Sequence, residues 1–286
     1  MNLETYDFKL GRFECVLFQD AVHAYDKPAS ILFTNAPRDQ LTQVLREHEI
    51  EIEDWRQWVS PYVCLLVKTD THNVLIDTGI GSTFPPGKGK FLQLLQSYAV
   101  TPEEIDIVLI THAHGDHCGG NTDSELNALF KNARYLMYKE EWNFWHGEET
   151  LIQPQHEWMR AVVEKNLSPI INQFELLETN IEVVPGVWVV KTPGHTPGHM
   201  IVQLSSEDEQ LWYLSDAFLH PIHIQRPDWY GDVDIDPGQV VITRKWLLDK
   251  IMEERPLIQS FHFPFPGLGR ISEDKRGMRW QPLPKL

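Results

Sequence analysis

The chain has 286 residues, 42% of them hydrophobic and 23% charged, a composition that excludes a disordered chain and leaves room for a large core. Twenty-five Lys and Arg stand against 41 Asp and Glu, and the formal charge of −16 argues against a surface that tracks nucleic-acid phosphates. Three scattered cysteines, Cys15, Cys64 and Cys118, make neither a disulfide framework nor a Cys-rich zinc site.

Short β-type runs near Phe8–Leu10 and Cys15–Phe18 open the chain. The segment from Asp20 to Ser60 reads as less regular, with a helix near Arg38–His48. Tyr62–Lys68 is a buried strand that turns through Asp70-Thr71-His72-Asn73 into Val74–Asp77. Lys90–Ala99 has helical spacing, and Thr101-Pro102-Glu103-Glu104 carries helix-start residues. Ile105–Ile110 is an apolar strand aimed at His112. Glu140–Leu167 reads as helical, and helix packing outweighs a substrate box for Trp142, Phe144, Trp145 and Trp158. A second β-rich half follows, with strands at Ile181–Val184, Val187–Lys191, Met200–Leu204 and Leu211–Leu214. A helix near Gln239–Glu254 and a last strand, Leu257–Phe261, close it.

No repeat or Gly/Ser linker divides these elements, so residues 1–286 are expected to form one domain. Two strand-rich halves, each carrying helices, imply two sheets packed face to face with helices outside. The first residues lack a basic segment followed by an apolar run, and no stretch approaches the roughly 20 apolar residues of a membrane span. A cytoplasmic protein that uses no membrane is expected.

Thr111-His112-Ala113-His114-Gly115-Asp116-His117 directly follows an apolar strand. Imidazoles at i and i+2 of an extended segment point to one side, so His112 and His114 can grip one ion. Gly115 lets the chain turn, which brings Asp116 and His117 round to serve a second ion. These four residues alone would leave the ions under-coordinated, so further ligands are required. His195, Asp216 and His262 each follow an apolar β run and supply the missing donors. His199 reads as a histidine that braces the ligand loop, and Cys118 as a small packed residue. His23, His48, His72, His146 and His156 have no spacing that asks for metal.

This pattern, from Val74-Leu75-Ile76-Asp77-Thr78-Gly79 to His262, resembles the metallo-β-lactamase superfamily with its HxHxDH signature and later single His, Asp and His ligands. The resemblance implies a four-layer αββα sandwich of the α/β class with a dinuclear metal site at one edge. It implies that His112, His114 and His195 hold one ion, that Asp116, His117 and His262 hold the other, and that Asp216 bridges them. It also implies that Asp77 orients the metal-binding loop from behind. Two divalent ions less the charges of Asp116, Asp216 and a hydroxide leave a net positive charge to stabilise an oxyanion. A metal-bound water can ionise near pH ~7, so a bridging hydroxide is the expected nucleophile, with Asp116 orienting it and passing a proton to the leaving group. Zinc is the first choice of metal, and iron, manganese or cobalt would suit the same donors.

Asp216 stands where some zinc β-lactamases place a Cys, and His114 departs from the HxExDH pattern of the di-iron flavoprotein branch. Only 24 residues follow His262, too few for the C-terminal helical domain of glyoxalase-II-like thioesterases. Ser215–Pro221, Phe261–Ile271 and Trp280-Gln281-Pro282 are similar to the lactonase and methyl-parathion-hydrolase-like branch. The acyl-homoserine-lactone lactonases carry a Tyr three residues after the bridging Asp, and Leu219 sits there instead. Phe218, His220, His223 and Tyr230 are therefore the expected pocket residues, the last three as substitutes for that phenol. Segment 20–60, the Glu140–Leu167 helices and segment 218–236 would wall the pocket, and the first and last of these also suit a homodimer surface. The expected substrate is a small molecule with a neutral ester-like bond, a lactone or carboxylic ester first and a phosphotriester second. A small-molecule phosphodiesterase, a thioesterase and a non-catalytic metal-binding protein are the alternatives.

Overall fold

The computed structural model describes residues 4–81, 89–147, 157–275 and 277–284. The first sheet takes its strands in chain order: β1 (Thr5–Leu10), β2 (Phe13–Asp26), β3 (Gln57–Lys68), β4 (Asn73–Ile76), β5 (Ile107–Leu109), β6 (Arg134–Tyr138) and β7 (Phe174–Leu177). β1 to β4 pair antiparallel, and β4 to β7 pair parallel. The second sheet runs through β8 (Ile181–Val184), β9 (Val187–Lys191), β10 (Met200–Ser206), β11 (Glu209–Tyr213), β12 (Leu257–Gln259), β13 (Leu268–Asp274) and β14 (Gly277–Pro282). Only β11 and β12 in that sheet are parallel.

The inner faces of the two sheets meet in one apolar layer that includes Leu17, Leu65, Ile76, Leu109, Val202 and Tyr213. A second layer, with Leu66, Leu75, Val108 and Met137, is covered by helices carrying Leu95, Trp145 and Val163. On the other side Ile201, Trp212 and Ile258 pack under Leu247, Leu248 and Ile251 of the helix Pro237–Glu254. Asp236 caps that helix by accepting the Gln239 N–H, and Pro237 sits in its first turn. The layers are therefore helices, sheet, sheet, helices, the expected sandwich.

Three differences from the sequence reading stand out. β2 continues to Asp26 and β3 begins at Gln57, so the ends of the irregular segment form a ribbon with Ala21, His23 and Tyr25 half-buried and Val22, Ala24 and Asp26 exposed. An apolar side chain on the solvent face blurs the alternation that marks a strand. The short strands β6 and β7 bracket the helical region, and β13 and β14 extend the sheet beyond β12. The part of the helical expectation at 148–156, and His156 with it, lies outside the described residues; helices occupy Lys139–His146 and Glu157–Asn166.

Candidate metal centre

Strand direction gathers the ligands. β9 and β11 both lie antiparallel to β10, and β12 is parallel to β11, so the chain leaves all three strands at one edge, toward His195, Asp216 and His262. β5 delivers His112 and His114 to the same edge from the other sheet, and a short helical turn, Gly115–Cys118, brings Asp116 and His117 back. Gly194 makes the His195 loop feasible: its φ is +134°, and a Cβ there would strike the Val240 backbone.

One ligand atom from each of His112, His114, His195 and Asp216 forms a group whose members lie within 4.8 Å of one another. Asp116, His117 and His262 form a second such group. His195 Nε2 is 3.0 Å from His114 Nδ1 and 3.2 Å from Asp216 Oδ2, and Asp216 Oδ2 is 3.7 Å from His112 Nε2. Such separations suit the edges of a tetrahedron with ligand bonds of about 2.0–2.1 Å. Asp216 faces both groups, with Oδ1 3.3 Å from His117 Nε2 and Oδ2 3.1 Å from His262 Nε2.

The tautomers follow from the outer partners. His117 Nδ1–H donates to Asp77 Oδ2 at 2.8 Å, His195 Nδ1–H donates to Asp234 Oδ1 at 2.8 Å, and His262 Nδ1 is 2.7 Å from Ser60 Oγ. With Nδ1–H committed to a carboxylate, His117 and His195 each turn Nε2 toward the centre. His112 Nε2 is buried with no hydrogen-bond partner. Imidazole nitrogens and carboxylate oxygens that converge in two such close groups fit two divalent ions.

Charge shifts report the same field. Burial opposes charge on His117, but Asp216, Asp77 and Asp116 outweigh it and push its pKa well up. His195 is likewise raised to about 9, burial being outweighed by Asp216 and Asp234. Burial would raise Asp216, yet His262 and His117 hold it well below the usual carboxylate range. His112, dominated by burial and then by its imidazole neighbours, is pushed well down. In the absence of metal, protons on His117 and His195 supply the positive charge this cluster requires.

Outer residues hold this frame. Asp77, at φ +58°, accepts from Thr111 N–H at 2.9 Å, from the Thr111 hydroxyl and from Tyr213 O–H at 3.1 Å. His199 takes the Asp216 N–H on Nε2 at 3.2 Å while its other nitrogen meets Thr192 Oγ1 at 2.9 Å; burial lowers its pKa to about 3 and keeps it neutral. Glu141 accepts from Ala113 N–H, Trp145 Nε1–H and Gly198 N–H, tying the two ligand loops together. Asp234, Ser60 and Glu141 escaped the sequence reading, because no spacing relates them to the ligands.

A cavity of about 300 Å³ opens over the ligands, with His114, Asp116, His195, Asp216 and His262 at its base. Its walls are His23, Tyr25, Trp58 and Tyr62 from the β2–β3 ribbon, with Ile31, Trp158, Met159, Leu219 and Val233. Phe218, His220, His223 and Tyr230 are not among them, which corrects the expected pocket. Phe218 packs in the core behind the site, and His223 Nε2 meets the Leu32 carbonyl at 2.9 Å. His220 packs on Phe33 and Trp55, and burial lowers its pKa to about 3. The Tyr230 backbone pairs with Thr34 and Asn35. The loop turns His220 and His223 onto Phe33, beside the small apolar cluster that includes Trp229, while Leu219 and Val233 face the cavity. Of the aromatic group, Trp145 is core, whereas Trp158 is half exposed and lines the cavity.

Comparison with known proteins matches the family model described as the metallo-beta-lactamase superfamily, Lactamase_B, to residues 58–262. The N-acyl homoserine lactonase of Bacillus cereus is 25% identical over 222 residues, 71% of this chain and 81% of its own length. A structure of AidC, a dizinc quorum-quenching lactonase, superposes with a TM-score of 0.89 at 24% identity, covering 99% of this chain and 98% of that one. The hydrolase AbOPH of the beta lactamase superfamily superposes with a TM-score of 0.88 at 24% identity, covering 100% and 99%. These two likenesses carry the fold.

Proposed function

The chain belongs to the metallo-beta-lactamase superfamily, and from that premise we propose that it is a dinuclear metal-dependent hydrolase of neutral, acyl-bearing ester bonds, lactones first. The observation that carries this reading is the cavity: carboxylates and imidazoles at its base, aromatic and aliphatic walls, and no Lys or Arg among the described lining residues. An anionic phosphodiester would find no cationic side chain there, whereas an acyl chain would bury apolar area against Trp58, Trp158, Met159 and Ile31. The lactonase relatives supply the choice of lactone over open ester.

His112, His114, His195 and Asp216 would hold one ion, and Asp116, His117 and His262 the other, with Asp216 facing both. Two such ions, zinc first for this nitrogen-rich donor set, would supply an activated water at neutral pH and an electrophile for the carbonyl oxygen. Asp116 lines the cavity with its Oδ2 3.6 Å from His262 Nε2. It is the carboxylate at the base best able to hold the water's proton on Oδ and return it to the leaving alkoxide. His199 and Asp77 do no chemistry; they fix Asp216 and His117.

The aromatic walls also favour a second reading, an aryl phosphotriester, which is neutral and planar at its leaving group. Initial rates of zinc-loaded protein on N-acyl homoserine lactones, aryl esters, aryl phosphotriesters and an aryl phosphodiester separate these readings. Lactone turnover that dominates the panel and disappears in Asp216→Asn is the expected result. Turnover of the phosphodiester alone would overturn it.

A further inference from the structure

The wall nearest His262 holds two phenols that the ligand frame does not use. Tyr25 on β2 and Tyr62 on β3 lie on the same face of the ribbon, opposite Trp58 and Ala21 respectively. Small Ala21 across from Tyr62 leaves space for the rings to lean together, and their hydroxyl oxygens meet at 2.7 Å. Tyr62 stacks on Phe261 and meets the His262 ring edge-on at 5.7 Å; Tyr25 stacks on Trp58, whose ring is 5.5 Å from His262. Both tyrosines line the cavity with Asp116 and Asp216.

Proton counting gives this pair its meaning. Two phenols carry two O–H donors, and their mutual hydrogen bond uses one. The second has no acceptor among the described residues. Burial first, and then the Asp116 carboxylate, pushes both phenols up, so each stays a neutral donor. The pair is part-buried, and a donor that faces a ligand cavity is satisfied when the ligand brings the acceptor. A phenol that receives a hydrogen bond from a second phenol also becomes the stronger donor.

We propose that the Tyr25–Tyr62 pair is a catalytic hydrogen-bond donor that directs its spare O–H to the substrate oxygen on which negative charge develops. The inference rests on the hydrolase reading and adds to it the group that assists the electrophilic oxygen from the protein side. The pair acts as a unit: one phenol touches the substrate, and the other orients and polarises it.

The test uses the zinc-loaded 286-residue chain, Tyr25→Phe, Tyr62→Phe and the double variant, with metal content measured for each. On the panel substrate that the wild type turns over fastest, the double variant is expected to lose about 100-fold in kcat with KM within threefold. A second readout is the infrared carbonyl stretch of a bound N-hexanoyl amino-γ-lactam, which resists hydrolysis. Its ring carbonyl band is expected at lower frequency in the wild type than in the double variant. A double variant within threefold of wild-type kcat, or an unmoved band, overturns the proposal. If the double variant does not fold, the single variants decide: at least one must fall tenfold or more, and two within threefold overturn it. Absence of wild-type turnover on every substrate sinks the hydrolase reading instead, and the carbonyl band still tests the pair.

Discussion

Asp234 Oδ1 accepts the Nδ1–H of His195 at 2.8 Å, and its other oxygen takes the wholly buried Arg244 guanidinium at 3.2 Å. Arg244 in turn donates to the Ala217 and Trp229 carbonyls at 2.6 Å, so a single buried network spans the His195 loop, the turn after Asp216 and the helix Pro237–Glu254. Asp234→Ala is expected to lower zinc affinity about 10- to 100-fold, because His195 loses the partner that sets its tautomer. It is also expected to cost about 3–5 kcal/mol of stability, since Arg244 is left buried and unpaired. Chelator competition reads the first effect and urea unfolding the second. Unchanged zinc affinity would remove Asp234 from the site.

The raised histidines make metal binding a proton exchange. His195, raised to about 9, and His117, also raised, must shed protons before they can ligate, so zinc binding at pH 7.5 is expected to release protons and to tighten as pH rises. Calorimetry in buffers of different ionisation enthalpy counts those protons. Stability of the metal-free protein moves the other way. A histidine whose folded pKa exceeds its unfolded value of about 6.5 stabilises fully below that pH, and the contribution disappears as pH climbs through the folded value. The melting temperature of metal-free protein should therefore fall between about pH 6.5 and 9, while zinc-loaded protein holds level across that window. Parallel curves for the two forms would contradict this.

The metal-ligand candidates were legible because their chemistry is written in residue type. Four donors within six positions after an apolar run have few structural uses, and His195, Asp216 and His262 each follow a strand. What stayed hidden depends on packing. Asp234 lies in an acidic loop, and only the fold brings it to His195. Tyr25 sits in a stretch whose alternation is masked by exposed Val22, so neither its strand nor its inward face could be read. His220 and His223 follow Asp216 closely in sequence, but they pack on Phe33 and not against the cavity.

Glu141 offers a test of how the two ligand loops are joined. Oε1 accepts from Ala113 N–H at 2.9 Å and Trp145 Nε1–H at 2.8 Å, and Oε2 accepts from Gly198 N–H at 2.9 Å. In Glu141→Gln the new amide must turn N–H groups toward one of these donors, leaving at least one buried N–H unpaired. A loss of about 1–3 kcal/mol is expected from urea unfolding of the metal-free protein, with weaker zinc binding because Ala113 and Gly198 flank ligands. A variant of wild-type stability would show that the carboxylate is replaceable.

Substrate length is the last prediction and follows from where the cavity walls are. Trp158, half exposed, and Met159 form the side contributed by the helix Glu157–Asn166. Each acyl methylene that passes along this wall leaves water and contributes up to about 0.8 kcal/mol, roughly a fourfold gain in kcat/KM per carbon at full burial. Because Trp158 remains half exposed, the gain per carbon should be smaller and should stop where the chain outgrows the wall. Trp158→Ala is expected to flatten the dependence of kcat/KM on acyl length between butanoyl and decanoyl lactones, with the loss concentrated in KM and confined to the long chains. Butanoyl turnover should remain within twofold, because the reacting carbonyl sits at the ligand base. Equal losses at every chain length would mean that Trp158 supports the site as a whole and does not line the acyl path.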